Sequence, residues 1–534
     1  MTMHIRPKTL LVLVSPLLLL VAAAYIQWGT VGLPPVSASP TLALETATES
    51  YGFPSWLRIT HYVNFLFLVL LVRSGLQILA DHPRLYWNVH CTPGTEWIRF
   101  TPVAMPTGTA KEDARYLSPL IGLPGGRHTL GMSRHWHFLS VLFWVGNGAV
   151  YVGLLFATGQ WRRLVPTSWR ILPDAWAVFV HYVTFHLPQE PNAFYHYNAL
   201  QQLSYFLVVF VLAPLSILTG PSMSPALVNR FSWYPKLPGT RQIGRSLHFL
   251  VMGGYVAFII AHVSMVVISG FVRNMNHIVV GKDDNSYLGV YLGLLGVVVL
   301  LTVNILANWA SWKQSRAVQH FSAAVLNPIF SLLLDRYATR TEYTPADISP
   351  YFWLNGKPPI SAEWTAVASG DFQNYRLRVF GLVENPLDLS LDDIKAMGKK
   401  TQIALHNCIQ GWSGIAEWGG LPLVELMRLA KPRPEAKVAV FYSFGEGTAG
   451  GQYYDSHTIE DLWHPQALLA YEMNFKPLTI PHGAPLRLRA ENELGFKMVK
   501  WIQAIEFVEN VKPIYKGEGG YAQDNEFFGT MANI

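Results

Sequence analysis

The sequence predicts an all-α membrane helical bundle of about six spans followed by a soluble α+β domain. Two observations carry this expectation. The 534 residues are 51% hydrophobic and only 14% charged, the balance of a membrane protein that also carries a soluble part. The long apolar runs then stop: crossing a bilayer takes about 20 helical residues, and beyond Trp312 no run of that kind occurs. From Thr341 onward short strand-like stretches alternate with turns and charged residues.

Taken in order, the first run extends from Thr9 to Trp28 behind Arg6 and Lys8. It reads as an anchor, or as a signal segment cleaved within Val36-Ser37-Ala38-Ser39, so residues 1–28 stand apart. Leu57 to Ala80, Trp136 to Thr158, Leu200 to Gly220, Leu247 to Gly270 and Tyr287 to Trp312 supply the other spans, giving a membrane domain over 55–312. Residues 313–344 read as a linker with a surface helix, and 345–534 as the soluble domain. Lys and Arg alternate between the loops. There are six from Asp81 to Arg134, four from Pro221 to Arg245 and two just after the last span, against none from Gly29 to Trp56, three from Gly159 to Ala199 and two from Phe271 to Ser286. By the positive-inside rule the soluble domain is cytoplasmic, in a multi-pass protein of a bacterial inner membrane. These basic loops account for the net charge of +6 without a nucleic-acid partner. The two cysteines, Cys91 and Cys408, lie one outside each region's core and exclude a disulfide scaffold.

Cys408 sits among Asn407, Ile409, Gln410, Gly411, Trp412 and Ser413. A lone thiol amid amides, glycine and tryptophan in a polar segment is a metal-bound thiolate, a nucleophile, or a buried structural cysteine. Histidines in the spans carry a second signal, because an imidazole in a bilayer helix is costly and marks function by default. His61 and His137 lie near the starts of the second and third spans, and His248 and His262 share the fifth. Their fourteen-residue separation is about 21 Å of helix and within about 40° of one face. The antiparallel order of spans sets His137 level with His248 and His61 level with His262, two bis-histidine sites suited to haem iron between facing helices.

Here the membrane half resembles a known family. Arg58–Asn64, Ser74–Ile78, His82–Trp87, Arg134–Phe138, Tyr197–Gln202 and the His248/His262 pair are similar to the cytochrome b subunits of thiosulfate reductases and of membrane formate dehydrogenase, over roughly residues 55–280. The resemblance implies that His61, His137, His248 and His262 hold two b haems passing electrons to or from the quinone pool. His181, His186 and His196 fall outside the pattern and read as surface or interfacial histidines.

The soluble half resembles a second family. Tyr375–Pro386, Leu389–Asp393, Cys408–Ser413, His482–Arg487 and Gly495–Trp501 look like the sulfite-oxidase-type molybdopterin fold over 345–511, closest to the bacterial methionine-sulfoxide reductase catalytic subunit. The resemblance implies molybdenum bound to Cys408, with His482, Arg487, Lys497, Met498 and Lys500 around the pterin, and Asn355 and Ser443 as further contacts by approximate position. The chemistry agrees: a soft thiolate suits the metal, a cationic neighbourhood keeps it deprotonated, and Arg487, Arg489, Lys497 and Lys500 can clamp a phosphate. His482 stands where the family has Asn, and Gly411-Trp412-Ser413 follow the cysteine where sulfite oxidases have arginines. A sulfoxide-type or other small oxo-substrate is therefore expected ahead of sulfite. The dimerisation domain of sulfite oxidases is not matched before Ile534, and Met1–Lys8 has no twin-arginine pair for export of a folded molybdenum domain. The expectation is one electron-transfer chain: substrate, Cys408-bound molybdenum, His137/His248 haem, His61/His262 haem, quinone, within membrane lipid. The alternative is a haem-bearing membrane anchor whose soluble domain is metal-free and binds a partner.

Overall fold

The computed structural model describes residues 3–36, 52–126, 129–188, 192–224, 239–334, 342–447 and 449–525, with Leu227, Phe231 and Tyr234 between them. Most of the stretch expected as a cleavage site, Ser37 to Ser39, lies outside the described residues.

Among the described residues six helices are long and apolar enough to cross a membrane: Pro7–Val31, Ser55–Asp81, Leu130–Ala157, Ala199–Met223, Arg241–Ile268 and Leu288–Lys313, spans 1 to 6. Spans 3 and 5 begin six residues before their apolar runs, because their polar first turns are buried against protein. Span 2 packs along span 3, and polar links cross between them, Trp144 donating to Asn64 Oδ1 at 2.8 Å and Asn147 to the Thr60 carbonyl at 3.0 Å. A reciprocal cap starts span 4: Gln201 N–H donates to Asn198 Oδ1, and Asn198 N–H to Gln201 Oε1.

Two features were not expected from hydropathy. A thirteen-residue helix, Ile171–Val183, occupies the connection between spans 3 and 4. It packs on span 1, where Tyr25 donates to the Val183 carbonyl and Trp176 to Gln27 Oε1. At the other end of span 1, β1 (His4–Ile5) pairs antiparallel with β3 (Ile98–Arg99), which also pairs with β2 (Arg84–Leu85). Span 1 is thus bonded into the domain at both ends. The connection from Asp81 to Leu130, read as a basic loop, is a folded platform. Its centre is Arg84, fully buried and paired with Asp113 at 2.8 Å and Glu96 at 3.0 Å.

The soluble domain is built on two sheets. One has the order β5-β4-β13-β8-β9, from Leu387–Ser390, Arg376–Gly381, Ile502–Val508, Val438–Glu446 and Gln452–Thr458. The other runs β11-β10-β7-β6 with β12 on β10, from Lys476–Pro477, Leu468–Met473, Ser413–Pro422, Lys400–Asn407 and Arg487–Arg489. Leu377, Val379, Leu421, Phe441, Leu469, Leu488, Ile505 and Phe507 form the core between them. Their alternation along strands gives each sheet one apolar face, whose burial drives the packing.

The platform and the soluble domain share a core of their own. Tyr86, Cys91, Ala110 and Leu130 cluster with Trp353, Cys408, Ile409 and Trp412. Both cysteines are therefore buried in one interdomain cluster, not one beside each region as the sequence suggested. The linker does contain a helix, Ser315–Leu334, which rests on span 3 through Phe330 and Phe138 and reaches the soluble domain through Arg316 and Glu518 at 2.8 Å.

Candidate molybdenum and haem sites

The four histidines meet in the two expected pairs. His137 and His248 have ring centres 6.4 Å apart, as do His61 and His262. A metal–imidazole bond of about 2.0–2.1 Å plus roughly 1.2 Å from nitrogen to ring centre, counted on both sides, gives about 6.4–6.6 Å. Each pair is thus spaced to take one metal ion between its rings. The tautomers also fit. Ser74 Oγ donates to the Leu70 carbonyl at 2.7 Å, leaving a lone pair for His137 Nδ1–H at 3.0 Å. Thr219 Oγ1 donates to the Leu215 carbonyl at 2.7 Å and receives His248 Nδ1–H at 2.9 Å. Both Nε2 atoms then carry the lone pair a metal needs, held by outer partners of the usual kind. At the other level the Tyr205 hydroxyl stands 3.4 Å from His262 Nδ1. His181, by contrast, bonds the carbonyls of Pro34 and His186.

In the soluble domain Cys408 opens the bend between β6 and β7. Its N–H donates to the Trp412 carbonyl, and its carbonyl accepts the Gly411 N–H. Gly411 has φ +109°, where an L side chain is strained, and a Cβ there would meet the Arg245 guanidinium at 3.0 Å. Asn355 Nδ2 donates to Cys408 Sγ at 3.2 Å. Beside them opens a cleft lined by Phe352, Trp353, Leu354, Asn355, His406, Trp412, Pro481, His482, Arg487, Gly495, Met498 and Lys500.

This donor set fits a molybdopterin. His482 Nδ1 and Arg487 Nε are buried with no hydrogen-bond partner among the described residues, and buried polar groups left so demand one. Lys500 Nζ donates to the carbonyls of Asn355 and Pro481. Burial, with Arg487 beside it, holds the Lys500 ammonium well below its ordinary range; burial and the neighbouring Arg489 do the same for Arg487. Burial, then Arg487 and Lys500, bring His482 down to about 3, so its ring is neutral. A cationic wall of this kind is relieved by an anion such as a phosphate. Close approach is built in as well, since a Cβ on Gly495 would meet the His406 ring at 2.3 Å.

Three expected residues stand elsewhere. Lys497 is fully buried and pairs with Asp455 at 2.6 Å, and Arg489 pairs with Glu491 at 2.6 Å, so neither lines the cleft. Ser443 lies beneath it, donating to the Lys500 carbonyl at 2.7 Å. The expected cationic activation of Cys408 is also outweighed. Burial pushes the thiol up to about 12, against the opposing pull of the Gln410 N–H, Asn355 and Arg241. Deprotonation would therefore depend on the charge of a bound metal.

What sequence reasoning missed is the seat of this loop. Arg241, at the start of span 5, donates to the Cys408 carbonyl at 3.0 Å. Gln242 donates to the Gly411 carbonyl at 2.8 Å and to Ser413 Oγ at 3.1 Å. Ser413 N–H donates to Cys91 Sγ, and Trp353 to the Cys91 carbonyl. The cysteine loop thus stands on the helix that carries His248. The signal available in sequence was a polar Arg-Gln pair opening an apolar span seven residues before a histidine.

The comparisons agree with both halves. Residues 364–516 match the oxidoreductase molybdopterin binding domain, and residues 52–279 the prokaryotic cytochrome b561. A putative protein-methionine-sulfoxide reductase subunit YedZ1 of Azospira oryzae is 33% identical over 34% of this chain and 66% of its own. The protein-methionine-sulfoxide reductase catalytic subunit MsrP of Campylobacter jejuni is 32% identical over 26% of this chain and 50% of its own. The oxidoreductase YuiH of Bacillus subtilis is 30% identical over 28% and 74%. The chain spans from half to about two thirds of the length of YedZ1 and MsrP. With the cysteine, the cationic cleft and the paired histidines in place, the chain belongs to the molybdopterin-binding oxidoreductases, joined in one polypeptide to a cytochrome b561-type membrane domain.

Proposed function

We propose that this chain is a membrane-bound molybdenum oxidoreductase that moves electrons between the quinone pool and a small sulfoxide-type substrate through two b haems. The observation that carries the proposal is the seating of the Cys408 loop on span 5 above two histidine pairs spaced for metal. Relatives named as methionine-sulfoxide reductases favour sulfoxide reduction.

Molybdenum bound at Cys408 would supply two-electron oxygen-atom exchange. The chain does the rest. Asn355 orients Sγ and, as a hydrogen-bond donor to the sulfur, tunes the metal. Arg487, His482 and Lys500 hold the pterin's polar end, while Phe352, Trp353, Trp412 and Met498 keep the cleft apolar enough for a thioether. No arginine stands at positions 409–413 to receive a sulfite anion. Electrons from quinol would reach the His61/His262 level first and the His137/His248 level second, and enter the cysteine loop beside Arg241 and Gln242. The distribution of Lys and Arg supports a cytoplasmic soluble domain, so a reporter fused after Ile534 should be active only as a cytoplasmic one.

The test is haem oxidation state under a panel of sulfoxides, N-oxides, sulfite and thiosulfate. Sulfoxides should reoxidise quinol-reduced haems. Haems indifferent to every sulfoxide but reduced by sulfite would overturn the reading.

A further inference from the structure

Arg134 and Arg241 stand on the two helices that carry the histidine pair nearer the soluble domain. Arg134 precedes His137 by three residues, one turn nearer that domain and about 60° from the same face. Arg241 precedes His248 by seven, about 10.5 Å along the helix and about 20° from the same face. By helical period both residues thus stand on the side of their helices where the histidines face each other, and their guanidiniums lie within electrostatic range of one another.

Among the described residues no Asp or Glu forms an ion pair with Arg134 or Arg241. Arg134 lies over the Phe138 ring at 5.0 Å. Arg241 gives its hydrogen bonds to the soluble domain, at the Cys408 and Trp412 carbonyls and Asn407 Oδ1. On the next turn Arg245 is spent on the carbonyls of His82 and Arg84, and the acid within range of it is Asp81. Two like charges at the membrane edge, with no ion-paired carboxylate among the described residues, call for an anion.

We infer that Arg134 and Arg241 seat a carboxylate of the haem held between His137 and His248, while Arg241 also holds the Cys408 loop. The edge of the nearer haem and the molybdenum loop then share one residue. The inference rests on the two-haem reading above. A haem carries its carboxylates on one edge. The side of each ligand helix that faces the other pair member is where the two arginines stand. A lipid phosphate offers the same chemistry from outside the bundle. Arg241 is a positioning residue, not a catalytic one: its charge favours the reduced haem, which is one charge more negative, and its hydrogen bonds fix the loop beside it.

The test is a spectroelectrochemical titration of the intact protein in nanodiscs of neutral phosphatidylcholine. Arg241→Gln should shift the reduction equilibrium of the nearer haem about tenfold toward oxidised, a fall of about 59 mV for one electron, and leave the other haem unchanged. Arg241→Lys, which restores charge without the planar fork, should return the potential. Arg134→Gln should lower the same potential and serves alone if Arg241→Gln does not fold. Unchanged potentials with both haems bound overturn the inference, as does a shift that appears only when anionic lipid is added. A wild-type protein with fewer than two haems overturns the reading beneath it, and this inference with it.

Discussion

Replacing Gln242 by Leu keeps much of the side chain's volume in a fully buried site and removes its amide. That amide donates to the Gly411 carbonyl at 2.8 Å and to Ser413 Oγ at 3.1 Å. Ser413 retains its own acceptor, the Val89 carbonyl at 2.6 Å, so the group stranded is the Gly411 carbonyl. An orphaned buried acceptor costs about 1–3 kcal/mol. Leu recovers some of this by apolar burial, which leaves about 1–2 kcal/mol, a factor of about 5–30 in the local opening equilibrium. Hydrogen exchange reads this directly. The amides that close the bend, Gly411 to the Cys408 carbonyl at 3.1 Å and Cys408 to the Trp412 carbonyl at 3.0 Å, should exchange about 5–30-fold faster. Amides of β13, such as Ile505 in the core of the other sheet, should keep their protection. Equal protection at Cys408 and Gly411 in variant and parent would refute the claim that span 5 supports this loop.

Cys408→Ala should abolish substrate-linked oxidation or reduction of the haems while their spectra and their reduction by a quinol analogue persist, because only the soluble site loses its metal ligand. His248→Ala should remove the haem nearer the soluble domain and leave the other, so that a pyridine haemochrome assay falls from two haems per chain to one. Stability should also depend on His457, which burial and the adjacent Lys497 bring down to about 3. The unfolded histidine takes up a proton near pH 6.5, whereas the folded one resists until about pH 3, so the unfolded state binds more protons in that window. Stability should therefore fall as pH drops below about 6.5, by up to about 1.4 kcal/mol per unit from this group, and thermal melts of His457→Gln should show a shallower slope.

The spans and both histidine levels were legible because hydropathy and helical period are local properties. Fourteen residues between His248 and His262 imply one face at two depths, whatever surrounds them. The cysteine was legible through its short motif. The rest depended on residues far apart in the chain. Lys497 and Arg489 look like free cations in sequence, yet Asp455 and Glu491 neutralise them, and nothing near Lys497 announces a partner 42 positions earlier. Arg241 and Gln242 look like the basic edge of a span because their acceptors are carbonyls of residues 408 and 411, and carbonyls leave no trace in composition. The platform between spans 2 and 3 escaped for the same reason, since the buried Arg84–Asp113 pair makes a loop rich in charge into a core. The thiol's high proton affinity follows from burial, which motif reading does not measure.

The linker helix and the cysteine loop hold the soluble domain at two separate places, Arg316 with Glu518 and Gln242 with Gly411. A catalytic protein that visits a separate membrane cytochrome must meet it by diffusion, at a rate that falls with dilution and with salt wherever charge guides the encounter. Here the encounter has been made once, during folding. Internal transfer should be first order in the polypeptide and indifferent to its concentration. It should respond only weakly to ionic strength, because the contacts at the cysteine loop are buried hydrogen bonds that salt does not screen. The stoichiometry is fixed with it: each Cys408 loop stands on a helix that carries its own two histidines, and no surplus of one half can idle the other.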